Sequence, residues 1–174
     1  MVAPAKLAHV VFRTNQINPM VDWYCTFLEA HVDYRDAGIA FLTYDDEHHR
    51  IALIGNETYA PRPEGKTVGF YHAAFAFRNL GDLLGNYERL KALGVLPYRP
   101  INHGPTVSMY YRDPDGNELE MQVDSFPDSA RANAWMQSEA FARDPIGILF
   151  DPEEMIRKYR SGVPEMELLR RPDA

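Results

Sequence analysis

His9, His72 and Glu120 are the side chains of this 174-residue chain whose types and settings best suit metal chemistry. Each lies in a short apolar stretch that reads as a β-strand: "LAHVVF", "FYHAAF" and "ELEMQV". Side chains alternate across a strand, so Glu120 shares a face with Glu118 and Gln122, while Leu119, Met121 and Val123 form an apolar face. That apolar face must meet a helix, which turns Glu120 toward an interior. Burying an unpaired carboxylate is very costly. A lone strand histidine is ordinarily a hydrogen-bonded core residue, but two histidines and one inward carboxylate together favour a metal site.

The elements that must position these groups form a repeat. Residues 7–14, "LAHVVFRT", read as a strand, and Asn18 followed by Pro19 predicts an N-cap with proline in the first helical position. Met20, Trp23, Phe27 and Ala30 form the apolar stripe of that helix, on which the single cysteine, Cys25, is an ordinary residue. Three β segments follow, "HVDYRD", "AFLTYD" and "RIALIG". The order then recurs: strand "TVGFYHAAFAF", then a helix burying Leu80, Leu83, Leu84, Tyr87, Leu90 and Leu93 with Gly94 as its stop. Strands "LPYRPI", "TVSMYYRD" and "ELEMQV" complete it, with Asp115-Gly116 as a turn. An offset of 63 positions, from 9 to 72, superimposes the two histidines, Tyr24 on Tyr87 and Phe27 on Leu90.

The expected fold class is therefore α+β. Two βαβββ modules, about 5–57 and 66–124, form a curved, barrel-like mixed sheet around a metal site. Residues 1–124 make that domain, and 125–174 a helical C-terminal extension around "SARANAWMQSEAFA" and "PEEMIRKY", whose final "RRPDA" is expected to fray. The same symmetry pairs Ile51 with Leu119 and Leu53 with Met121, which puts Ala52 in the place of Glu120. Alanine cannot coordinate, so the site has two imidazoles, one carboxylate and up to three open positions. That set is the facial triad associated with non-haem Fe(II) oxygenases, whereas a closed structural zinc site uses four protein ligands.

With those residues in place, the sequence resembles the vicinal oxygen chelate superfamily (glyoxalase, bleomycin resistance and extradiol dioxygenase proteins), and within it the single-domain type I extradiol ring-cleaving dioxygenases. The likeness spans roughly residues 7–124. "INHGPTVSMYYRDPDGNELE" fits that family's signature, with His103, Met109-Tyr110, Asp113-Pro114, Gly116 and Glu120 in place, and "FLTYDDEHHRIAL" looks like its strand-turn-strand with a His-His pair. The resemblance implies Fe(II) as cofactor, with Mn(II) as an alternative on the same ligands, held by His9, His72 and Glu120. A catechol-type aromatic diol would take two open positions and O2 the third. His103 and Tyr110 would hydrogen-bond the diol oxygens, and His49 would serve as the acid-base histidine. His48 and Phe70 are candidates for the substrate pocket.

Several alternatives stand beside this reading. His48 and His49 adjoin Asp45, Asp46 and Glu47, so a solvated hairpin tip explains them without chemistry. Asp113, Pro114 and Gly116 are turn formers. A glyoxalase-like metal-dependent isomerase or lyase of the same superfamily would not need Tyr110, His103 and His49, and a non-catalytic ligand-binding protein would not need the ligands at all. Composition narrows the field further: the formal net charge is −7 and hydrophobic residues make up 45%. The chain lacks the basic face that nucleic acid or an anionic membrane requires. A single cysteine excludes an internal disulfide and a CxxC zinc site, and there is no long apolar run. A cytoplasmic protein, with a homodimer as its assembly, is the expectation.

Overall fold

The fold was derived from a computed structural model, which describes residues 2–65 and 67–172. The chain divides into two compact units, one built from residues up to 71 together with 112–117, the other from 72–111 together with residues from 118 on.

The first unit carries β1 (Val10–Thr14), α1 (Ile17–Leu28), β2 (His31–Arg35), β3 (Ile39–Thr43) and β4 (Ile51–Gly55). Its four strands form an open sheet in the order β1-β4-β3-β2. The second unit carries β5 (His72–Phe77), α2 (Leu80–Ala92), β6 (Arg99–Asn102), β7 (Thr106–Arg112) and β8 (Glu118–Asp124). It continues with α3 (Ser129–Met136), α4 (Glu139–Arg143), β9 (Ile148–Leu149), α5 (Pro152–Arg160) and α6 (Glu165–Leu169). Its sheet is β5-β8-β7-β6-β9, also open. The α+β class and the repeated β-α-β-β-β order are thus present as read from the sequence.

The register is repeated too. β1 runs parallel to β4 with Val10 opposite Ile51 and Val11 opposite Ala52. β5 runs parallel to β8 with Ala73 opposite Leu119 and Ala74 opposite Glu120. Ala52 therefore occupies in one sheet the position that Glu120 holds in the other. The helices obey the same repeat, with Tyr24 and Phe27 of α1 and Tyr87 and Leu90 of α2 all buried. Leu80, Leu83, Leu84 and Leu90 are at most 2% exposed, and burying each such side chain is worth roughly 1.5–3 kcal/mol.

Local departures have identifiable causes. The first strand begins at Val10 rather than residue 7, because the Arg50 guanidinium takes the carbonyls of Leu7 (2.8 Å) and Ala8 (3.1 Å) that a ladder would have used. The fifth begins at His72, whose partner Glu118 is the first residue of β8; upstream of it Phe70 and Tyr71 are exposed. Gln16, not Asn18, is the N-cap of α1, since the Asn18 side chain accepts from Arg35. Pro19 falls in the first turn, where N–H groups have no intrahelical partner. Tyr24 replaces Trp23 in the buried stripe, with Trp23 stacked on Phe27 at 4.3 Å between centroids. Leu93 caps α2 and is exposed.

The C-terminal segment is helical as expected, but it also supplies β9, whose Ile148 and Leu149 pair with Asn102 and Ile101 of β6. Its end is not frayed at Arg171, which is 2% exposed; residues 173 and 174 lie outside the described residues. Among the described residues no helix is long and apolar enough to cross a membrane.

Candidate active site

In the second unit the strands bring four of the sequence-derived residues together. On β8, Leu119, Met121 and Val123 are at most 2% exposed, and alternation sends Glu120 to the opposite face. His72 opens β5 on that same face, since it pairs with Glu118, two residues before Glu120. The result is a contact of 3.0 Å between His72 Nε2 and Glu120 Oε2, with the carboxylate side chain 6% exposed. His103 Nε2 lies 4.0 Å from the other carboxylate oxygen.

Tyr110, 5% exposed, fills the space beside these groups. Its ring meets the His72 and His103 rings edge-on at 5.4 and 5.9 Å, and the Arg99 guanidinium lies over it at 5.1 Å. Its hydroxyl is 3.0 Å from His103 Nε2. The other ring nitrogen, Nδ1, bonds the Ile146 carbonyl. A carbonyl only accepts, so Nδ1 carries the hydrogen. Burial lowers the His103 pKa, so at neutral pH the ring is uncharged, Nε2 keeps its lone pair, and Tyr110 is the donor.

The donor set suits a hard or borderline divalent cation, with nitrogen and oxygen ligands and no thiolate. The geometry of the pair suits it as well. Two donors about 2.1 Å from one cation and at right angles are about 3.0 Å apart, the separation seen between His72 Nε2 and Glu120 Oε2.

The first unit carries the other three candidate histidines, His9, His48 and His49. His9 directly precedes β1 and is exposed, with its ring 4.4 Å from that of His49. His49 also stacks on Phe41 of β3 at 4.7 Å and shares a 2.5 Å Nδ1-to-Nδ1 contact with His48. Burial first, then the neighbouring His9 and His48, lowers the His49 pKa, so the ring is neutral at pH 7. The His48 side chain is 72% exposed and lies 3.7 Å from Glu47. Phe70 is 59% exposed and outside any strand.

Asp113 is a turn former, and a buried one. Its carboxylate accepts from the Asp115 and Asn117 backbone N–H groups, the Asn117 side chain and the Tyr24 hydroxyl. This network shapes the turn that leads into β8. Burial outweighs those bonds and raises the Asp113 pKa.

Sequence reasoning did not single out Phe41, Arg99 or Arg171. Phe41 was legible in the alternation of "AFLTYD". Nothing in the local pattern marks Arg171.

Comparison with known proteins agrees with this architecture. The sequence model of the Glyoxalase/Bleomycin resistance protein/Dioxygenase superfamily matches residues 6–121. Biphenyl-2,3-diol 1,2-dioxygenase 2 of Rhodococcus globerulus is 46% identical over 165 residues, 94% of this chain and 86% of the relative. Biphenyl-2,3-diol 1,2-dioxygenase 3 of the same organism is 44% identical over 172 residues, 98% of this chain and 90% of the relative. Among solved structures, a glyoxalase/dioxygenase from Nostoc punctiforme shares the fold with a TM-score of 0.59 at 20% identity, covering 71% of this chain and 96% of that one.

Proposed function

The chain belongs to the glyoxalase/bleomycin resistance protein/dioxygenase superfamily and is an enzyme of its extradiol dioxygenase kind; we propose that it uses Fe(II) and O2 to open a catechol-type aromatic ring beside the diol. The observation that carries this reading is the buried carboxylate of Glu120 set against the imidazoles of His72 and His103, with the Tyr110 hydroxyl on His103. A closed structural site would have no use for that hydroxyl and imidazole pair.

In this proposal His72, Glu120 and His9 hold the metal, with Mn(II) as the alternative occupant. Fe(II), when bound, supplies the electronic path between the diol and O2. The remaining work falls to the chain. The Tyr110 oxygen, which donates its hydrogen to His103 Nε2, retains lone pairs that can accept a proton from a diol hydroxyl. Passing its own hydrogen to Nε2 at the same time makes the pair a proton relay, with His103 as the terminal base. His49, held neutral against Phe41, serves as the acid-base group on the oxygen side, with His48 and Phe70 toward the substrate. Biphenyl-2,3-diol names the substrate of the two curated relatives, which supports an aryl-substituted catechol for this chain. A cytoplasmic homodimer completes the proposal; a single cysteine, with no internal disulfide to form, suits a reducing compartment.

The test is to load the protein anaerobically with Fe(II), add a panel of catechols including 2,3-dihydroxybiphenyl, and admit air while following O2 uptake and the yellow ring-opened product. Stoichiometric uptake with colour is expected, abolished in Glu120→Ala together with metal binding. Protein that binds one metal ion yet consumes no O2 with any catechol would overturn the reading in favour of an isomerase or lyase.

A further inference from the structure

The C-terminal segment carries Arg171, an arginine buried in the second unit beside the loop that holds His103. The Arg171 side chain donates through Nη1 to the Asp144 carbonyl at 2.6 Å and the His103 carbonyl at 3.5 Å, and through Nη2 to the Ala140 carbonyl at 3.1 Å. Its guanidinium lies over the Trp135 ring at 5.0 Å. Burying a cation is tolerated only where its N–H groups find acceptors, and here those acceptors belong to two segments that meet at one imidazole. The first is His103 itself. The second runs from α4 into the loop 144–147.

That loop makes the contact on His103. The Asp144 side chain accepts from the backbone N–H groups of Ile146 and Gly147, both at 3.0 Å, which folds the loop so that the Ile146 carbonyl faces His103 Nδ1. Asp144 is held in turn through its own carbonyl by Arg171. The loop also has little freedom to shift, since a Cβ on Gly147 would lie 2.3 Å from the Asn102 carbonyl oxygen. Which nitrogen of a neutral imidazole carries its hydrogen is set by the bond the other makes. A fixed carbonyl at Nδ1 therefore fixes a lone pair at Nε2, the atom 3.0 Å from the Tyr110 hydroxyl.

We propose that Arg171 is a positioning residue for His103: by clamping the 140–144 segment to the His103 backbone it holds the Ile146 carbonyl on Nδ1 and so presents an unprotonated Nε2 to Tyr110. The functional consequence rests on reading His103 and Tyr110 as the pair that handles the diol. The structural assertion does not. The C-terminal extension on this view serves the site as well as adding β9 to the edge of the sheet.

The test separates the two. In metal-free, substrate-free protein with 15N-labelled histidine, long-range 15N–1H spectra at mildly alkaline pH report the tautomer of His103, assigned by comparison with His103→Gln. The wild type is expected to show the Nδ1–H form, and Arg171→Ala a mixture of both. In the loaded enzyme Arg171→Ala is expected to lower kcat by about 10²-fold, the scale of a misplaced catalytic group, at unchanged metal content, with partial recovery in Arg171→Lys. Arg171→Gln, which keeps a polar side chain but cannot span the carbonyls of Ala140, Asp144 and His103 together, is expected to give the same tautomer mixture and decides the matter should Arg171→Ala fail to fold. An Nε2–H wild type, or an unchanged Nδ1–H form in the folded variants, overturns the proposal. Because the tautomer is read without metal or diol, an enzyme inactive on every catechol leaves the positioning role of Arg171 standing.

Discussion

Tyr110→Phe separates the chemical role of one hydroxyl from the packing role of its ring. The variant keeps the ring edge-on to His72 and His103 and under the Arg99 guanidinium. It deletes the hydrogen bond to His103 Nε2, 3.0 Å long. A neutral hydrogen bond is worth about 0.5–1.5 kcal/mol net, and the His103 side chain is 19% exposed, so water can reach the abandoned acceptor. The stability loss should thus lie near 1 kcal/mol, a Tm shift of about 2–4 °C for a chain of this size. The chemical loss should be far larger. A positioned proton-transfer group contributes about 10²–10⁴-fold, so kcat for O2 uptake with a catechol should fall at least about 10²-fold while Fe(II) content stays that of the wild type. The assay is an oxygen electrode under saturating diol, with metal analysis and a thermal melt on the same sample. A variant whose kcat stays within about twofold of wild type at full metal loading would refute the relay and leave Tyr110 as a packing residue.

Other consequences concern the elements that hold the site. The Tyr24 phenol donates to buried Asp113 at 3.0 Å, and Tyr24→Phe should cost about 1.5–3 kcal/mol in urea unfolding near pH 8, the range for a bond to a charged group. Burial raises the Tyr24 pKa well above the ordinary value, so its contribution is complete below the unfolded pKa of about 10 and is lost at about 1.4 kcal/mol per pH unit as pH climbs from there toward the folded pKa. The gap between wild type and Tyr24→Phe should therefore narrow above pH 10; a constant gap from pH 8 to 11 would contradict the assignment. Gly104→Ala places a Cβ 2.0 Å from the Trp135 ring at a φ of +99°. It should destabilise by more than about 1 kcal/mol and perturb Trp135 fluorescence, whereas an unchanged melt and emission would show that the tail does not pack there.

Much of the fold was legible because strand alternation and helical spacing encode direction. One offset aligned His9 with His72 and Tyr24 with Tyr87, and a second aligned Ile51 with Leu119; the registers Val10–Ile51 and Ala73–Leu119 reproduce both. The orientation of Glu120 followed from Leu119, Met121 and Val123 alone, since an apolar face on one side leaves the other for the carboxylate. The contact of Glu120 with His72 was legible for the same reason. What escaped the sequence was supplied by backbone groups. The first strand starts late because Arg50 takes two carbonyls, β9 is two residues long and so has no alternation to read, and Arg171 is buried by the carbonyls of Ala140, His103 and Asp144. Every residue type offers a carbonyl, so such a contact leaves no mark on composition or period. The proposed metal ligands are legible in side-chain types, whereas the setting of the proposed base, His103, is written in the path of the main chain. A reading by residue type therefore finds His103 but not the arginine that fixes its hydrogen.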